Sequence, residues 1–342
     1  MVEYHPSIDI VNRVQLAQLP TPLHELSRLT RKLAGPRIWI KRDDLTGLAG
    51  GGNKSRKLEF LIADAIQRGC DTVVTAGGPQ SNHCRQTAAA CARFGLQCHL
   101  ILGGEPPELR LGNLLLDDLL GARVHWVEKP QRNTRLNDIG DELRADGRVP
   151  YVIPVGGSNP LGCLGYAHAM FEVQAQIELL GIEVNRIIFA TSSGGTQAGM
   201  ALGARMSGFR GKITAVSIDQ PPDEPPQRAF LAEVAEIAAE ASALIGDKMP
   251  FNSSDFDVEY GYLGEGYGVV GELERCAIRE LASTEGILLG PVYTGRAFGA
   301  MLDLIASGKI GPCETVLFWH TGDDVALHAY AAEMTAEIAS DS

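Results

Sequence analysis

No apolar run in these 342 residues approaches the roughly 20 needed to span a bilayer, so a membrane-spanning role is not expected. The opening stretch, MVEYHPSIDIVNRVQ, lacks the apolar segment of a signal peptide. C-x-x-C pairs are missing too. The seven cysteines (Cys70, Cys84, Cys91, Cys98, Cys163, Cys276 and Cys313) are odd in number and have no metal-binding spacing with histidine. A disulfide framework and a metal site are therefore not expected, and a reduced, cytoplasmic protein is. Cys84 follows His83, but it reads as a small buried hydrophobe rather than a nucleophile. Positive charge is in deficit: 30 Lys and Arg against 42 Asp and Glu leave a net charge of -12. That balance argues against nucleic acid or an anionic membrane as partner. No fixed-period repeat and no low-complexity tract occurs.

What is present is an alternation of β-branched runs with helical patterns. Strands are expected at 37–40 (RIWI), 71–76 (DTVVTA), 97–102 (QCHLIL), 122–127 (ARVHWV) and 149–155 (VPYVIPV), and further on at 186–190, 212–218 and 315–320. Between them, SRKLEFLIADAIQRG puts Leu58, Leu61, Ile62, Ala65 and Ile66 on one helical face, and SNHCRQTAAACARFG reads as a helix ending at Gly95. Strands separated by helices predict parallel α/β sheets with right-handed crossovers. DQPPDEPPQ (219–227) reads as an exposed connection, and the acidic stretch after it as an amphipathic surface helix.

Three loops follow strands, where ligands bind in α/β proteins. TSSGGTQAG (191–199) offers Ser193, Gly194, Gly195 and Thr196 at a helix start, where backbone N–H groups bind anions. It has no Walker lysine and no G-x-G-x-x-G spacing, so a phosphate monoester on a small cofactor suits it better than a nucleotide. AGGPQSNHCRQTAA (76–89) places Ser81, Asn82 and His83 at another helix start. One of them is expected to cap the helix; together they suit a substrate carboxylate. GLAGGGNKSRKLEF (47–60) puts Lys54, next to Asn53, at a third helix start. The dipole and burial there favour a neutral, nucleophilic amine that can form a Schiff base. Lys57 reads as solvated surface. An imine lysine, a phosphate cradle and a carboxylate site together are the parts of a pyridoxal phosphate site acting on an amino acid.

The residues themselves support that reading. GGNKSRKLEFLIADAIQRGCDTVVTAGGPQSNHCRQTAA resembles the D-cysteine desulfhydrase and 1-aminocyclopropane-1-carboxylate deaminase family, which also includes L-cysteate sulfo-lyases. The resemblance continues through LPTPLHELSRL, IKRDDLTG, YVIPVGGSNPLGCLGY, YGYLGEGYGV, EGILLGPVYTGRA and HTGDDVALHAY, in order along nearly the whole chain. It implies the fold-type-II pyridoxal phosphate architecture, like the β subunit of tryptophan synthase. Two parallel-sheet α/β domains hold the cofactor between them. Residues 1–54 and 163–342 would form the larger domain and 55–162 the inserted smaller one. By resemblance, Lys54 carries the cofactor, Asn82 bonds its ring hydroxyl oxygen, and Ser193, Gly194, Gly195 and Thr196 hold its phosphate. Thr321 faces the pyridine nitrogen, Ser81 works near the substrate carboxylate and α-carbon, and Tyr267 and Tyr293 line the substrate side. A homodimer is also implied.

Several positions depart from the family pattern. Gly290 stands where an aspartate is usual, and Asp323 where the second glycine of HTGG is usual. Asp323 is expected close to the cofactor ring. Thr294 replaces the deaminases' glutamate, as in the desulfhydrases, whereas GLAGGGNK is closer to the deaminases. The expected function is a lyase that eliminates a β-substituent. It would convert D-cysteine to pyruvate, sulfide and ammonia, or L-cysteate to pyruvate, sulfite and ammonia. The alternatives are a 1-aminocyclopropane-1-carboxylate deaminase yielding 2-oxobutanoate, and a catalytically silent ligand-binding protein of the same fold.

Overall fold

A computed structural model describes residues 6–220 and 227–335. Most of the proline-rich stretch 219–227 lies outside the described residues. The strands are β1 (Leu23–Glu25), β2 (Arg37–Arg42), β3 (Thr72–Gly77), β4 (Gln97–Gly103), β5 (Arg123–Val127), β6 (Pro150–Val152), β7 (Arg186–Thr191), β8 (Lys212–Ser217), β9 (Asp257–Glu259) and β10 (Thr315–His320). The first six α-helices are α1 (Pro6–Asp9), α2 (Ser27–Leu33), α3 (Lys54–Gln67), α4 (Asn82–Phe94), α5 (Gly112–Leu119) and α6 (Arg132–Ala145). The rest are α7 (Pro160–Leu180), α8 (Gly195–Ser207), α9 (Gln227–Leu244), α10 (Glu272–Glu285), α11 (Thr294–Ala306) and α12 (Ala331–Thr335).

Two sheets form; the alternation predicts their parallel strands, and the family resemblance implies that there are two. The larger runs β1-β2-β10-β7-β8-β9, parallel except for β1. The smaller runs β5-β4-β3-β6, all parallel. The small sheet is made wholly of chain that leaves the large sheet after β2 and returns at β7.

Both faces of both sheets are covered, which is why the strands are apolar without strict alternation. On one face of the large sheet, Val316 and Phe318 of β10 pack with Ile278, Leu281 and Phe298 of α10 and α11. On the other, Leu317 and Trp319 pack with Tyr166, Met170 and Met200 of α7 and α8. In the small sheet, Val73, Leu100 and Leu102 meet Leu61, Ile62 and Ala88 of α3 and α4, while Val74, Ala76 and Ile101 meet Leu136 and Ile139 of α6.

Differences from the sequence reading have local causes. β1 and β9 are three residues each, LHE and DVE, too short and polar to show a period. β6 stops at Val152 because the chain turns at Val155–Gly157, with Gly156 at φ +70. α9 is more than a surface helix, since Val234, Ala235, Ala238 and Ala241 are buried in a cluster with α7 and α8 residues. On α3 the expected face is buried except Ile66, which is 43% exposed. The opposite face of the first turn is buried as well: Ser55, Arg56 and Lys57 have almost no exposure.

Arg56 explains that burial. Its guanidinium reaches Asp43 at 2.8 Å and Glu172 of α7 at 2.9 and 3.0 Å. Lys41 of β2 donates to the same Glu172, and Tyr166 donates to Asp43 at 2.7 Å. Two cations and two carboxylates thus close a neutral, fully buried cluster joining β2, α3 and α7. Burial alone would raise the Glu172 carboxyl, but Arg56 and Lys41 outweigh burial and hold it well below the usual range. Lys41, by contrast, is lowered to about 8 because burial outweighs Glu172.

Glu172→Ala leaves two buried cations facing one carboxylate. We expect a loss of about 3–5 kcal/mol in urea unfolding at pH 7. The contribution of a depressed carboxylate is present above the unfolded pKa and is lost as pH falls toward the folded one. The gap between wild type and variant should therefore narrow below about pH 4.

Candidate active site

The carboxyl ends of β3, β4, β7 and β10 converge on one cavity of about 490 Å³. Its walls include Asn53 and Lys54, the 77–83 loop, the 190–194 loop with Thr196, Tyr267 with Tyr293, and Thr321. Among the sequence-predicted site residues, only Gly195 is not on the cavity wall; it lies directly behind, its N–H donating to Ser158 Oγ at 3.1 Å.

The 47–54 loop needs its glycines. Gly50, Gly51 and Gly52 have φ of +89, +75 and +125, and a Cβ on Gly51 would fall 1.8 Å from the Asp44 carbonyl oxygen. Arg85 of α4 holds this loop, donating to the carbonyls of Ala49 and Gly51 and to Asn82 Oδ1. With its oxygen engaged by Arg85, Asn82 presents its amide N–H donors to the cavity. Asn53 donates to Thr196 Oγ1 at 3.3 Å, and its own N–H bonds the Thr321 carbonyl at 2.9 Å.

Lys54 opens α3 with its amine 3.3 Å from the Gly156 carbonyl. Lys57 shares that carbonyl at 3.1 Å and reaches Ser158 Oγ at 3.3 Å. Lys57 is therefore not the solvated surface residue expected: it is buried one helical turn beyond Lys54, on the same side. Neither amine has a carboxylate partner among the described residues. Burial lowers Lys54 to about 8. Burial, and then the neighbouring Lys54 charge, push Lys57 well below its ordinary value. Two amines on one carbonyl do not both stay charged unless an anion arrives.

Ser158 links this pair to the glycine loop. Its hydroxyl lies 2.8 Å from Ser193 Oγ and accepts from the Gly195 N–H. Gly194, at φ +76, caps the start of α8 and leaves the first N–H groups of that helix without a capping side chain. A cradle of N–H groups and hydroxyls thus lies beside two uncompensated amines.

Ser81 is the cap of α4, accepting from Cys84 N at 3.3 Å, while also lining the cavity. His83 is buried and neutral, because burial and then Lys54 and Lys57 drive its pKa well below 6.5. Thr75 gives its only hydroxyl proton to the Ile153 carbonyl, so His83 Nε2 carries the proton in their 2.8 Å bond. Nδ1 is left as a bare, unpartnered acceptor. Tyr267 and Tyr293 form a hydroxyl pair at 2.6 Å with rings edge to face. Burial, and then Tyr267, push the Tyr293 phenol up, so it stays a proton donor.

Asp323 is not on the cavity wall. It sits behind it, fully buried at φ +87, with Oδ2 accepting the N–H groups of Val292 and Tyr293 at 3.0 Å. A Cβ on Gly290 would lie 2.2 Å from Asp323 Cβ. The two departures from the family pattern are thus one: Asp323 occupies the space that a side chain at 290 would need. Thr294 is likewise tied to backbone, accepting from Gly290 N at 2.8 Å and donating to the Gly322 carbonyl at 3.0 Å.

Comparisons with known proteins agree with this geometry. The family described as "Pyridoxal-phosphate dependent enzyme" matches residues 14–322. A protein of Pyrococcus abyssi named putative 1-aminocyclopropane-1-carboxylate deaminase is 37% identical over 96% of this chain and 98% of its own. A D-cysteine desulfhydrase of Klebsiella pneumoniae is 40% identical over 93% of this chain and 96% of its own. The crystal structure of an ACC deaminase homologue superposes with a TM-score of 0.86 at 34% identity, covering 96% of this chain and 98% of that one. An O-ureido-L-serine synthase structure, at a TM-score of 0.66 and 16% identity, shares the fold. The chain belongs to the pyridoxal-phosphate dependent enzyme family, has its fold-type-II architecture and uses pyridoxal phosphate.

The cavity fits that cofactor: an amine for its aldehyde, a cradle for its phosphate, and amide donors for its ring oxygen. Gly156, at φ +70, makes the fit sensitive to one atom, because a Cβ there would lie 2.3 Å from Ser193 Oγ and 3.4 Å from Lys54 Nζ. Gly156→Ala should weaken pyridoxal phosphate binding about tenfold or more in an absorbance titration, the cost of a lost charge-assisted hydrogen bond.

Proposed function

We propose that this chain is a pyridoxal phosphate-dependent lyase that eliminates the β-substituent of a small amino acid. D-cysteine would yield pyruvate, sulfide and ammonia, or L-cysteate pyruvate, sulfite and ammonia. The carrying observation is the Lys54 amine, half-buried and with no carboxylate partner among the described residues, in the cavity that holds the glycine cradle and the tyrosine pair. A silent binding protein has no need of so costly a lysine.

On this reading each residue takes a role that its place on the cavity wall and the family resemblance support. Ser193, Gly194, Gly195 and Thr196 would hold the cofactor's phosphate with Lys57, whose amine would become charged when that anion arrives. Asn82 would donate to the cofactor's ring oxygen, and Thr321 would offer a neutral hydroxyl to its ring nitrogen. Ser81 and the first N–H groups of α4 would hold the substrate carboxylate, with His83 beside them on the cavity wall. When bound, the cofactor supplies an aldehyde carbon for the amino group and a sink for the α-carbon's electron pair. Lys54, its pKa lowered to about 8 by burial, takes the α-proton. Tyr293, kept protonated and paired with Tyr267, donates to the departing group. The sum is amino acid plus water giving pyruvate, ammonium and the protonated leaving group.

The small sheet's closure within one chain segment supports a domain division into 1–54 with 163–342, and 55–162. Seven free cysteines support a reducing, cytoplasmic setting, and the homodimer rests on the family resemblance. Among the described residues no helix is long and apolar enough to cross a membrane, and no cluster of three or more His, Cys, Asp or Glu could hold a metal.

A panel of D- and L-cysteine, cysteate, β-chloroalanine and the cyclopropane acid, scored for keto acid, tests the reading. Wild type should be fastest with a β leaving group; preference for the cyclopropane acid would assign it as a deaminase instead. Lys54→Ala should lose both turnover and the borohydride-sensitive absorbance. In cofactor-stripped protein, the rate of Schiff-base formation with pyridoxal should rise with pH and level off above about 8. An ordinary lysine would level off above about 10.4.

A further inference from the structure

Arg296 is fully buried behind the tyrosine pair, and its acceptors come from the segments that carry that pair. It stands three residues after Tyr293, in the first turn of α11. Its Nε donates to Glu274 of α10, whose other oxygen accepts the Gly271 N–H at 2.9 Å. Nη1 donates to the carbonyls of Ile218 and Gly266, each at 3.2 Å, and Nη2 to that of Val269 at 2.8 Å. Ile218 precedes Asp219 on the cavity wall, and Gly266 and Val269 bracket Tyr267 and Gly268, which also line it.

The loop that carries Tyr267 needs such an anchor. Gly264, Gly266 and Gly268 have φ of +55, +122 and +77, a backbone that glycine alone adopts freely. Among the described residues its own backbone bonds are local, from Gly266 N–H to Leu263 and from Val269 N–H to Gly266. Arg296 adds the longer-range ties, one on each side of Tyr267. Across the cavity, a Cβ on Gly78 would lie 3.5 Å from the Tyr267 ring. Tyr293 leaves the helix start that carries Arg296 itself. One side chain therefore sets where both phenols stand, although their 2.6 Å contact joins residues 26 apart. Stability alone does not call for this device, since a buried ion pair is often replaceable by apolar side chains of similar volume. A planar fork that meets a carboxylate and three carbonyls fixes geometry.

We propose that Arg296 is the positioning residue for proton delivery to the departing group: it holds the Tyr267 loop and the start of α11 so that the Tyr293 phenol stands in register with the β-substituent. This rests on the lyase reading of the same cavity and adds a residue to it. With cysteine, the carbon–sulfur bond breaks with its electron pair on sulfur. The phenol proton goes to that sulfur and the α-proton to Lys54. With one water, the sum is pyruvate, ammonium and hydrogen sulfide. Chloride leaves β-chloroalanine without a proton, so that substrate reports on the rest of the site and not on the phenol.

The test compares kcat/KM for cysteine, as each enantiomer, with that for β-chloroalanine, using the holoenzyme. Arg296→Lys keeps a cation beside Glu274, but a single ammonium cannot span the three carbonyls. It should lower the cysteine to β-chloroalanine ratio about tenfold. Its affinity for pyridoxal phosphate, read by absorbance titration, should stay within about twofold of wild type. Tyr293→Phe should lower the ratio about 100-fold, and in that background Arg296→Lys should change it by less than about twofold. Equal losses on both substrates, or effects of the two substitutions that simply multiply, overturn the proposal. If Arg296→Lys does not fold by circular dichroism, Arg296→Met combined with Glu274→Gln takes its place with the same expected ratio. Failure of both to fold assigns Arg296 to stability and overturns the proposal. Turnover of β-chloroalanine without either cysteine enantiomer overturns it while leaving the lyase reading intact. Keto acid from none of these substrates overturns the lyase reading itself.

Discussion

The buried cluster of Arg56 with Asp43 and Glu172 is the constraint on which the active-site geometry depends. Arg56 lies two residues after Lys54 on the same first turn of α3. Whatever fixes the guanidinium fixes the helix start and therefore the amine. Asp43 comes from the turn after β2 and Glu172 from α7, so one side chain ties the large sheet, the long helix behind it and the helix carrying the lysine. Fully buried charges are expensive unless paired and fully hydrogen-bonded. Here Thr21, Lys41 and Tyr166 satisfy the remaining oxygens. The arrangement favours one relative placement of these elements over any near-miss that leaves a charge unpaired.

The cavity is built on the opposite rule. Among the described residues, Lys54, Lys57 and Arg132 have no carboxylate partner, whereas every charge of the buried cluster is paired. An apoprotein that keeps cations unpaired holds binding energy in reserve for anions. Asp323, behind the tyrosine pair, is spent on backbone: it clamps the Val292 and Tyr293 N–H groups and so sets the turn from which Tyr293 reaches its partner. Thr294 works similarly on the Gly290 and Gly322 backbone. Neither side chain lines the cavity, although Asp323 read from the sequence as close to the cofactor ring.

Much of this was legible beforehand because it is local. The eight apolar runs became strands, since burial on both faces demands apolar residues whichever way each side chain points. The helix starts at Lys54, Ser81 and Gly195 followed from glycine and capping chemistry within a few residues. Lys57 was missed because most lysines are exposed. The signal available was its spacing of three from Lys54, which places both amines on one side of a helix. β1 and β9 were missed because three polar residues carry no period.

The sequence by itself therefore determined the α/β class, the three loops that line the site, the Schiff-base candidate and the family. These depend on short-range pattern: strand and helix periods, glycine positions and contiguous motifs. Only the tertiary structure decided which distant groups share a site. The pairing of Lys54 with Lys57 on the Gly156 carbonyl, the neutrality of His83, the exchange of Gly290 with Asp323 and the reach of Arg296 to the Tyr267 loop all depend on distances between segments far apart in the chain. Desolvation and Coulomb energies are set by those distances and by burial, which no local pattern encodes.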